Sequence, residues 1–209
     1  MTTPAEAARI RQRYESGLAF AQRYFMRQAE VQGAAERIAA RLAELSIPYA
    51  ICGGLAVTAH GHVRVTVDVN VLLTSSGLAR FKEQSLGRGW VERFPGSRGV
   101  RDAEHGVPVD FLLTGGFPGD GRPKAVAFPD PTSVAVDAGS ARVLALPSLI
   151  ELKLASGMSA PDRPRDLDDV IQLIRANALP TEFGNQLDPS VRDKFHELWG
   201  YAQRPSSEP

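Results

Sequence analysis

Two strand-like runs, joined by a glycine pair and a short helical segment, constrain the fold of this chain more than any other feature of its sequence. The apolar run Tyr49–Cys52 ends at Gly53-Gly54, and residues 55–60 have the length of one or two helical turns before Gly61 stops them. A glycine pair lets backbone N–H groups approach phosphate oxygens without interference from a Cβ atom. It is equally compatible with a tight turn that binds nothing.

The second strand-like run carries polar side chains at a period of two. Residues 64–73 alternate valine and leucine with polar residues, which predicts a β-strand with Thr66, Asp68 and Asn70 on one face. Asp110 lies in a later strand-like run, VPVDFLL. Carboxylate oxygens on neighbouring strands, together with phosphate oxygens and water, are the ligands that Mg²⁺ prefers. The sequence therefore predicts a magnesium and phosphate site at one end of a sheet.

The rest of the chain predicts an α+β fold, with a mixed, twisted sheet flanked by helices, N-terminal helices and a helical C-terminal third. We expect a helical extension over residues 1–46, one domain over residues 47–204 and a disordered tail at residues 205–209. Apolar residues including Leu18, Phe20, Tyr24 and Phe25 predict two amphipathic helices, or one bent near Gly33. Further strands are predicted at residues 90–94, 107–113, 133–136 and 142–146, and helices at residues 77–86 (capped by Ser75 or Ser76), 148–158, 166–176 and 190–201.

Composition excludes several classes of protein. The 209 residues carry no net charge, so no general attraction to nucleic acid or membranes is expected. Cys52 is the single cysteine and cannot form an internal disulfide, and the four histidines lack zinc-site spacing. We interpret Cys52 as core filler, and His60 and His62 as turn residues. With no membrane-length apolar run and no signal-peptide pattern, we expect a cytoplasmic protein without a membrane partner.

The order of these segments resembles the nucleotidyltransferase superfamily, and within it the AbiEii/MenA-like branch of bacterial type IV toxin–antitoxin proteins. The segment GGLAVTAHGHVRVTVDVNVLL is similar to that branch's glycine pair, short helix, Arg-x-Thr step and Asp-x-Asp strand. LPSLIELKLASG and RPRDLDDVIQLI resemble its lysine-bearing helix and the Arg/Lys-Asp-x-x-Asp helix that follows. The resemblance extends from Tyr49 to Ile174, and five pieces in family order make it specific.

The resemblance implies roles for the residues at the start of this region. Gly53 and Gly54 would contact the phosphates of a nucleotide. Asp68, Asn70 and Asp110 would bind Mg²⁺, and Asp68 and Asp110 would be catalytic. Asp110 would act either as a second metal ligand or as the general base.

The resemblance also implies roles for the later charged residues. Lys153 would be catalytic and would neutralise the triphosphate, while Arg64, Arg165 and Asp166 would line or brace the nucleotide pocket. Simpler interpretations remain beside these. Lys153 and Asp169 could be solvated side chains on helices, and Asp166 could be a helix N-cap.

The function implied by the resemblance is Mg²⁺-dependent transfer of a nucleotide from an NTP to a hydroxyl of tRNA, another RNA or a protein, as a toxin paired with a cognate antitoxin. Two departures stand against it. Leu55 occupies a position where many members have Ser or Thr, and Asn70 replaces the second aspartate of Asp-x-Asp, which removes a negative charge that holds two metals together. The sequence therefore leaves open a nucleotidyltransferase, a catalytically weakened nucleotide-binding protein and a non-catalytic interaction scaffold.

Overall fold

The centre of the fold is a seven-stranded mixed β-sheet. Its strands are β1 (Tyr49–Cys52), β2 (Val69–Leu73), β3 (Trp90–Glu92), β4 (Val100–Asp102), β5 (Pro108–Leu113), β6 (Ala135–Asp137) and β7 (Arg142–Leu144). They lie in the order β3-β4-β5-β2-β1-β7-β6. The β2–β5 and β1–β7 pairs are parallel, and the other four neighbouring pairs are antiparallel.

The computed structural model describes residues 4–204, with side chains from Gln28 onward and at Glu6, Arg11, Gln12 and Tyr14. Its α-helices are α1 (Pro4–Glu44), α2 (Gly53–Ala59), α3 (Ser75–Ser85), α4 (Pro131–Val134), α5 (Leu146–Ser159), α6 (Pro164–Ala176) and α7 (Pro189–Ala202), and a 3₁₀ helix spans Thr181–Gln186. The predicted α+β class, with a mixed sheet flanked by helices, is confirmed. The predicted tail at residues 205–209 and the apolar side chains proposed at Leu18, Phe20, Tyr24 and Phe25 lie outside the described part.

Helices cover both faces of the sheet. Successive side chains of β2 lie on opposite faces, so they contact different helices. Val71 and Leu73 pack with α1 and α3 in one apolar cluster. Leu72 packs in a second cluster, with residues of α5, α6 and α7. Asn70 shares the parity of Leu72, so it belongs to the face covered by α5 and α6. No helix within residues 4–204 is long and apolar enough to cross a lipid bilayer.

The N-terminal region forms one helix of 41 residues, where the sequence predicted two helices or one bent helix. Gly33 lies inside α1 without ending it. A Cβ atom at this position would come within 2.5 Å of Nε2 of His105, so the glycine gives room for the histidine ring. Packing between distant segments therefore explains Gly33. From local propensity alone, a glycine here predicts an interruption of the helix.

The predicted strand over residues 64–73 is shorter in the structure and begins at Val69. The reason lies in its neighbour: Cys52, the last residue of β1, pairs with Asn70, and the chain then turns into α2. Residues 64–68 have no strand partner and run alongside the cavity described below as an irregular segment.

Three other sequence-based assignments are corrected. The predicted strand at residues 133–136 is instead the end of α4 followed by β6, because Asp130 caps α4 by accepting a hydrogen bond from the N–H of Thr132. Helix α3 is capped by Thr74, which accepts from the N–H of Gly77, and not by Ser75 or Ser76. Strand β4 was not predicted, since three residues are too few for a visible period.

The buried carboxylate of Asp102 joins β4 to α1. Nε of Arg37 lies 3.1 Å from one carboxylate oxygen, and Nδ1 of His105 lies 2.6 Å from the other. Burial raises the pKa of Asp102, but the hydrogen bonds from His105 and the charge of Arg37 outweigh it, so the pKa lies below its ordinary value.

We expect Asp102 to stabilise the fold at neutral pH and to lose this effect in acid. A carboxyl whose pKa is lower in the folded chain contributes stability above its unfolded pKa of about 4, and this is lost as pH falls through the folded pKa. Urea denaturation at pH 7 to 3 should show wild type more stable than Asp102→Asn, with a difference that shrinks below about pH 4. A constant difference over this range would contradict the assignment.

Candidate functional site

A cavity of about 640 Å³ lies where β1 ends and β2 begins. Its volume is within the range of small-molecule sites. Both polar and apolar residues line it, and the two groups are called its polar wall and its apolar wall below. The polar wall includes Gly53, Gly54, Arg64, Thr66, Asp68, Asn70, Arg98, Asp110, Lys153, Arg163 and Asp166, and the apolar wall includes Leu112, Pro118, Phe128, Leu144, Leu149 and Leu152.

The glycine pair packs directly against the polar side chains of the following segment. Gly53 has φ of +64°, and a Cβ atom there would lie 2.8 Å from Nδ2 of Asn70. A Cβ atom on Gly54 would lie 2.9 Å from Cβ of Thr66. Both contacts are too close for any other residue without movement, so the pair is required for packing, whether or not its N–H groups contact phosphate.

Asp68 is held by two neutral donors. The hydroxyl of Thr66 donates to Oδ1 at 2.7 Å, and Nδ2 of Asn70 donates to Oδ2 at 3.0 Å. The predicted common face of these three side chains is therefore present, although Thr66 and Asp68 precede the strand. The Asn70 amide occupies one oxygen of the carboxylate with an N–H group.

Asp110 lies directly opposite Asn70 on the neighbouring parallel strand β5. Nη1 of Arg93, in the connection between β3 and β4, donates to Oδ1 of Asp110 at 2.7 Å. A Cβ atom on Gly99, in the same connection, would lie 2.6 Å from that oxygen, so the glycine makes room for the carboxylate. Arg93 was not among the predicted site residues.

Lys153 is buried and belongs to a four-residue charge network. Its Nζ donates to Oδ1 of Asp166 at 2.9 Å and to Oδ2 of Asp169 at 2.6 Å, and the guanidinium of Arg64 pairs with the same oxygen of Asp169. Ser156 donates to the other oxygen of Asp166 at 2.7 Å. Two cations and two carboxylates balance each other, so the charge of Lys153 is already neutralised.

The simpler interpretations of these residues are wrong. Lys153 is 6% exposed and Asp169 is 1% exposed, so neither is a solvated helix side chain. Arg163 occupies the N-cap position of α6, so Asp166 is not the N-cap. Burial raises the pKa of Asp166, but Lys153 and the Ser156 hydroxyl outweigh it and leave the pKa below its ordinary value. Asp166 is therefore ionised at neutral pH.

Cys52 also lines the cavity, but it is not poised for chemistry. Burial raises the pKa of its thiol to about 12, and the thiol donates a weak hydrogen bond to the backbone oxygen of Asn70. A nucleophilic cysteine needs a lowered pKa. His60 is the C-cap residue of α2, and its Nε2 lies 2.8 Å from the backbone oxygen of Leu144.

The arginines that line the cavity differ from those expected. Arg64 lines it as predicted, whereas Arg165 is exposed and is not among the lining residues. Arg163 and Arg98 line it instead. The prediction of Arg165 rests on the resemblance, and α6 begins at Pro164 instead of Asp166, with Arg163 as its N-cap residue.

The polar wall suits a hard cation. The oxygen atoms of Asp68, Asn70, Asp110 and Thr66 are the donor type that Mg²⁺ prefers. Within the described residues no group of three or more His, Cys, Asp or Glu side chains is placed to bind a metal ion. Two carboxylates and an amide fit one Mg²⁺ that receives its remaining ligands from phosphate and water.

No family model matches this chain, and no curated protein matches its sequence. Among solved structures, the chain is similar to the crystal structure of ANT(2″)-Ia, an aminoglycoside nucleotidyltransferase, in complex with adenylyl-2″-tobramycin. The TM-score is 0.51 at 13% sequence identity, and the match covers 82% of this chain and 99% of that chain. The likeness shows a nucleotidyltransferase-like fold for this chain.

Proposed function

We propose that this chain binds a nucleoside triphosphate with Mg²⁺ in the cavity and transfers the nucleotide to an acceptor hydroxyl. One observation carries the proposal: Asp68 and the opposed pair Asn70 and Asp110 line the same wall of the cavity, next to the glycine turn. The nucleotidyltransferase-like fold supports it, because oxygen ligands on adjacent strands beside such a turn suit a Mg²⁺–triphosphate ligand.

In the proposed reaction an acceptor oxygen attacks the α-phosphorus. A bond forms between these two atoms, the bond from the α-phosphorus to the oxygen that bridges to the β-phosphate breaks, and pyrophosphate leaves. Mg²⁺, held by Asp68 and Asn70, would supply charge neutralisation for the phosphates. Asp110 acts as a further ligand or as the base that takes the hydroxyl proton. Among the side chains that the structure describes, none donates a hydrogen bond to its Oδ2, whereas Arg93 donates to Oδ1.

The acceptor we propose is a hydroxyl of tRNA, another RNA or a protein, with the chain acting as a toxin that a cognate antitoxin neutralises. The support is the sequence resemblance in residues 49–174. The structural neighbour was crystallised with an adenylylated aminoglycoside, so a small-molecule hydroxyl belongs among the acceptors to be tested.

The proposal is tested by incubating the protein with each labelled NTP and Mg²⁺, and with total RNA, cell protein or tobramycin as acceptor. We expect incorporation into at least one acceptor. Asp68→Asn and Asp110→Asn should abolish it, while Asp193→Asn, an exposed carboxylate on α7, should not change it. Equal incorporation by all four proteins would refute the proposed site.

A nucleotide-binding protein with weakened catalysis is the second candidate, and the position of Asn70 favours it. Its side-chain N–H group donates a hydrogen bond to Asp68, whereas an aspartate at position 70 would attract a cation there. Arg93 likewise donates a hydrogen bond to one oxygen of Asp110. Thermal stabilisation by Mg²⁺ and an NTP without transfer to any acceptor would support this candidate. No stabilisation by any NTP would favour the interaction scaffold.

A further inference from the structure

We propose that Arg98 and Arg163, rather than Lys153, bind the triphosphate. This inference rests on the proposed function and assigns the phosphate-binding side chains of the same site. It makes the two arginines binding residues for the nucleotide and gives Lys153 a structural role.

Lys153 and Arg64 are not free to bind phosphate, because both already pair with carboxylates of this chain. Lys153 donates to both Asp166 and Asp169, and Arg64 pairs with Asp169. Moving either cation toward a phosphate would leave two largely buried carboxylates, Asp166 and Asp169, with a single cation between them, and a buried excess charge is unfavourable. A phosphate that recruited Lys153 would have to offset that cost.

Among the described residues, Arg98 and Arg163 form no ion pair with a carboxylate, although the charge of Arg163 contributes to the lowered pKa of Asp166. Both side chains are exposed and both residues line the cavity. Within the described residues, neither guanidinium makes a hydrogen bond or a salt bridge to another side chain. Arg98 belongs to the connection between β3 and β4, and Arg163 precedes the first residue of α6, so the two cations reach the cavity from separate elements.

The charges of the ligand and of these two arginines also match. A nucleoside triphosphate carries about four negative charges at neutral pH, and one Mg²⁺ neutralises two of them. Two guanidinium groups offset the other two charges of the ligand, and of the two carboxylates on the polar wall Asp110 is already paired with Arg93 while Asp68 is not paired with a cation among the described residues. Arginine suits this task because its planar group can donate two hydrogen bonds to phosphate oxygens at once.

Arg165 provides a matched control. It lies in the first turn of α6, two residues after the N-cap residue Arg163, it is exposed, and it does not line the cavity. Arg163→Ala and Arg165→Ala remove the same charge from nearly the same place in the sequence. A difference between them therefore reports contact with the ligand and not the net charge of the protein.

The experiment measures the affinity of wild type, Arg98→Ala, Arg163→Ala and Arg165→Ala by calorimetry for Mg²⁺ with each NTP, for sodium tripolyphosphate and for the nucleosides. We expect Arg98→Ala and Arg163→Ala each to weaken NTP and tripolyphosphate binding about tenfold. Arg165→Ala should stay within about twofold of wild type. The melting temperatures should be unchanged, because the side chains are exposed.

Three results would overturn the inference. NTP affinity in Arg98→Ala and Arg163→Ala equal to that of Arg165→Ala would do so while leaving the proposed function intact. Weaker binding of total RNA by Arg98→Ala and Arg163→Ala, measured beside the calorimetry, with unchanged NTP affinity would assign the arginines to the acceptor. Failure of wild type to bind any NTP would overturn the proposed function together with this inference.

Discussion

Asn70→Asp is expected to raise the rate of nucleotide transfer by one to several factors of about ten, each corresponding to about 1.4 kcal/mol of barrier. The wall of the cavity now carries two carboxylates, Asp68 and Asp110, and the substitution adds a third negative charge between them. A stronger negative field favours a second divalent cation beside the one that accompanies the triphosphate. The measurement is nucleotide incorporation by both forms at equal Mg²⁺.

The same substitution has a consequence that can be measured without any substrate. Nδ2 of Asn70 lies 3.0 Å from Oδ2 of Asp68, so the variant replaces a hydrogen bond by two carboxylates in contact. Two like charges at this distance repel unless a cation or a proton lies between them. We therefore expect Asn70→Asp to melt lower than wild type in EDTA and to gain more from added Mg²⁺.

Asn70→Ala is the control, since it removes the amide without adding charge. Equal transfer rates for wild type and Asn70→Asp, together with equal responses to Mg²⁺, would show that position 70 does not contact a cation. A more Mg²⁺-sensitive but inactive Asn70→Asp form would favour a pocket kept for nucleotide binding.

Asp169→Asn is expected to cause the largest loss of stability, about 3–5 kcal/mol, or about 10 °C in melting temperature. Asp169 is almost fully buried and neutralises both Lys153 and Arg64. In the variant these two cations share the single carboxylate of Asp166 in a buried setting. The measurements are urea denaturation and differential scanning calorimetry at neutral pH.

Asp168→Asn is the matched control for this prediction. Asp168 precedes Asp169 on α6, is exposed, and accepts, among the described side chains, one long hydrogen bond from Gln172 at 3.3 Å. We expect a change within about 0.5 kcal/mol. Adding Lys153→Met to Asp169→Asn should restore part of the stability, because the excess positive charge is then removed. A similar stability for the two asparagine variants would mean that water reaches the network.

The local parts of the site could be predicted because they depend on residues close together in the sequence. The alternation predicted that Thr66, Asp68 and Asn70 lie together, and their hydrogen bonds agree, although only Asn70 is in the strand. The glycine pair directly follows a strand as predicted, but it forms the start of α2 instead of a turn before the helix. The extent of the strand could not be predicted, because β2 begins where β1 stops being available as a partner. The start of β2 therefore depends on its pairing with β1, and the sequence of β2 alone does not contain it.

The distant parts of the site depend on how elements pack. The register of β2 against β5 places Asp110 opposite Asn70, and no local pattern contains this information. The phosphate role of Lys153 and the pocket role of Arg165 rest on the resemblance, and the carboxylate partners of Lys153 on α6 are identified only once α5 and α6 lie side by side. Arg163 lies two residues before Arg165, and only the folded chain shows that it lines the cavity.

The ion network has a consequence for the order in which the chain can fold during synthesis. Helix α5 emerges from the ribosome before α6, and its mostly apolar buried face carries Lys153. The two carboxylates that neutralise this lysine lie 13 and 16 residues later. Until they are made, docking α5 onto the sheet would bury a lysine without these partners, which is unfavourable. We therefore expect α5 to dock, and the cavity to be completed, only after α6 has left the ribosome.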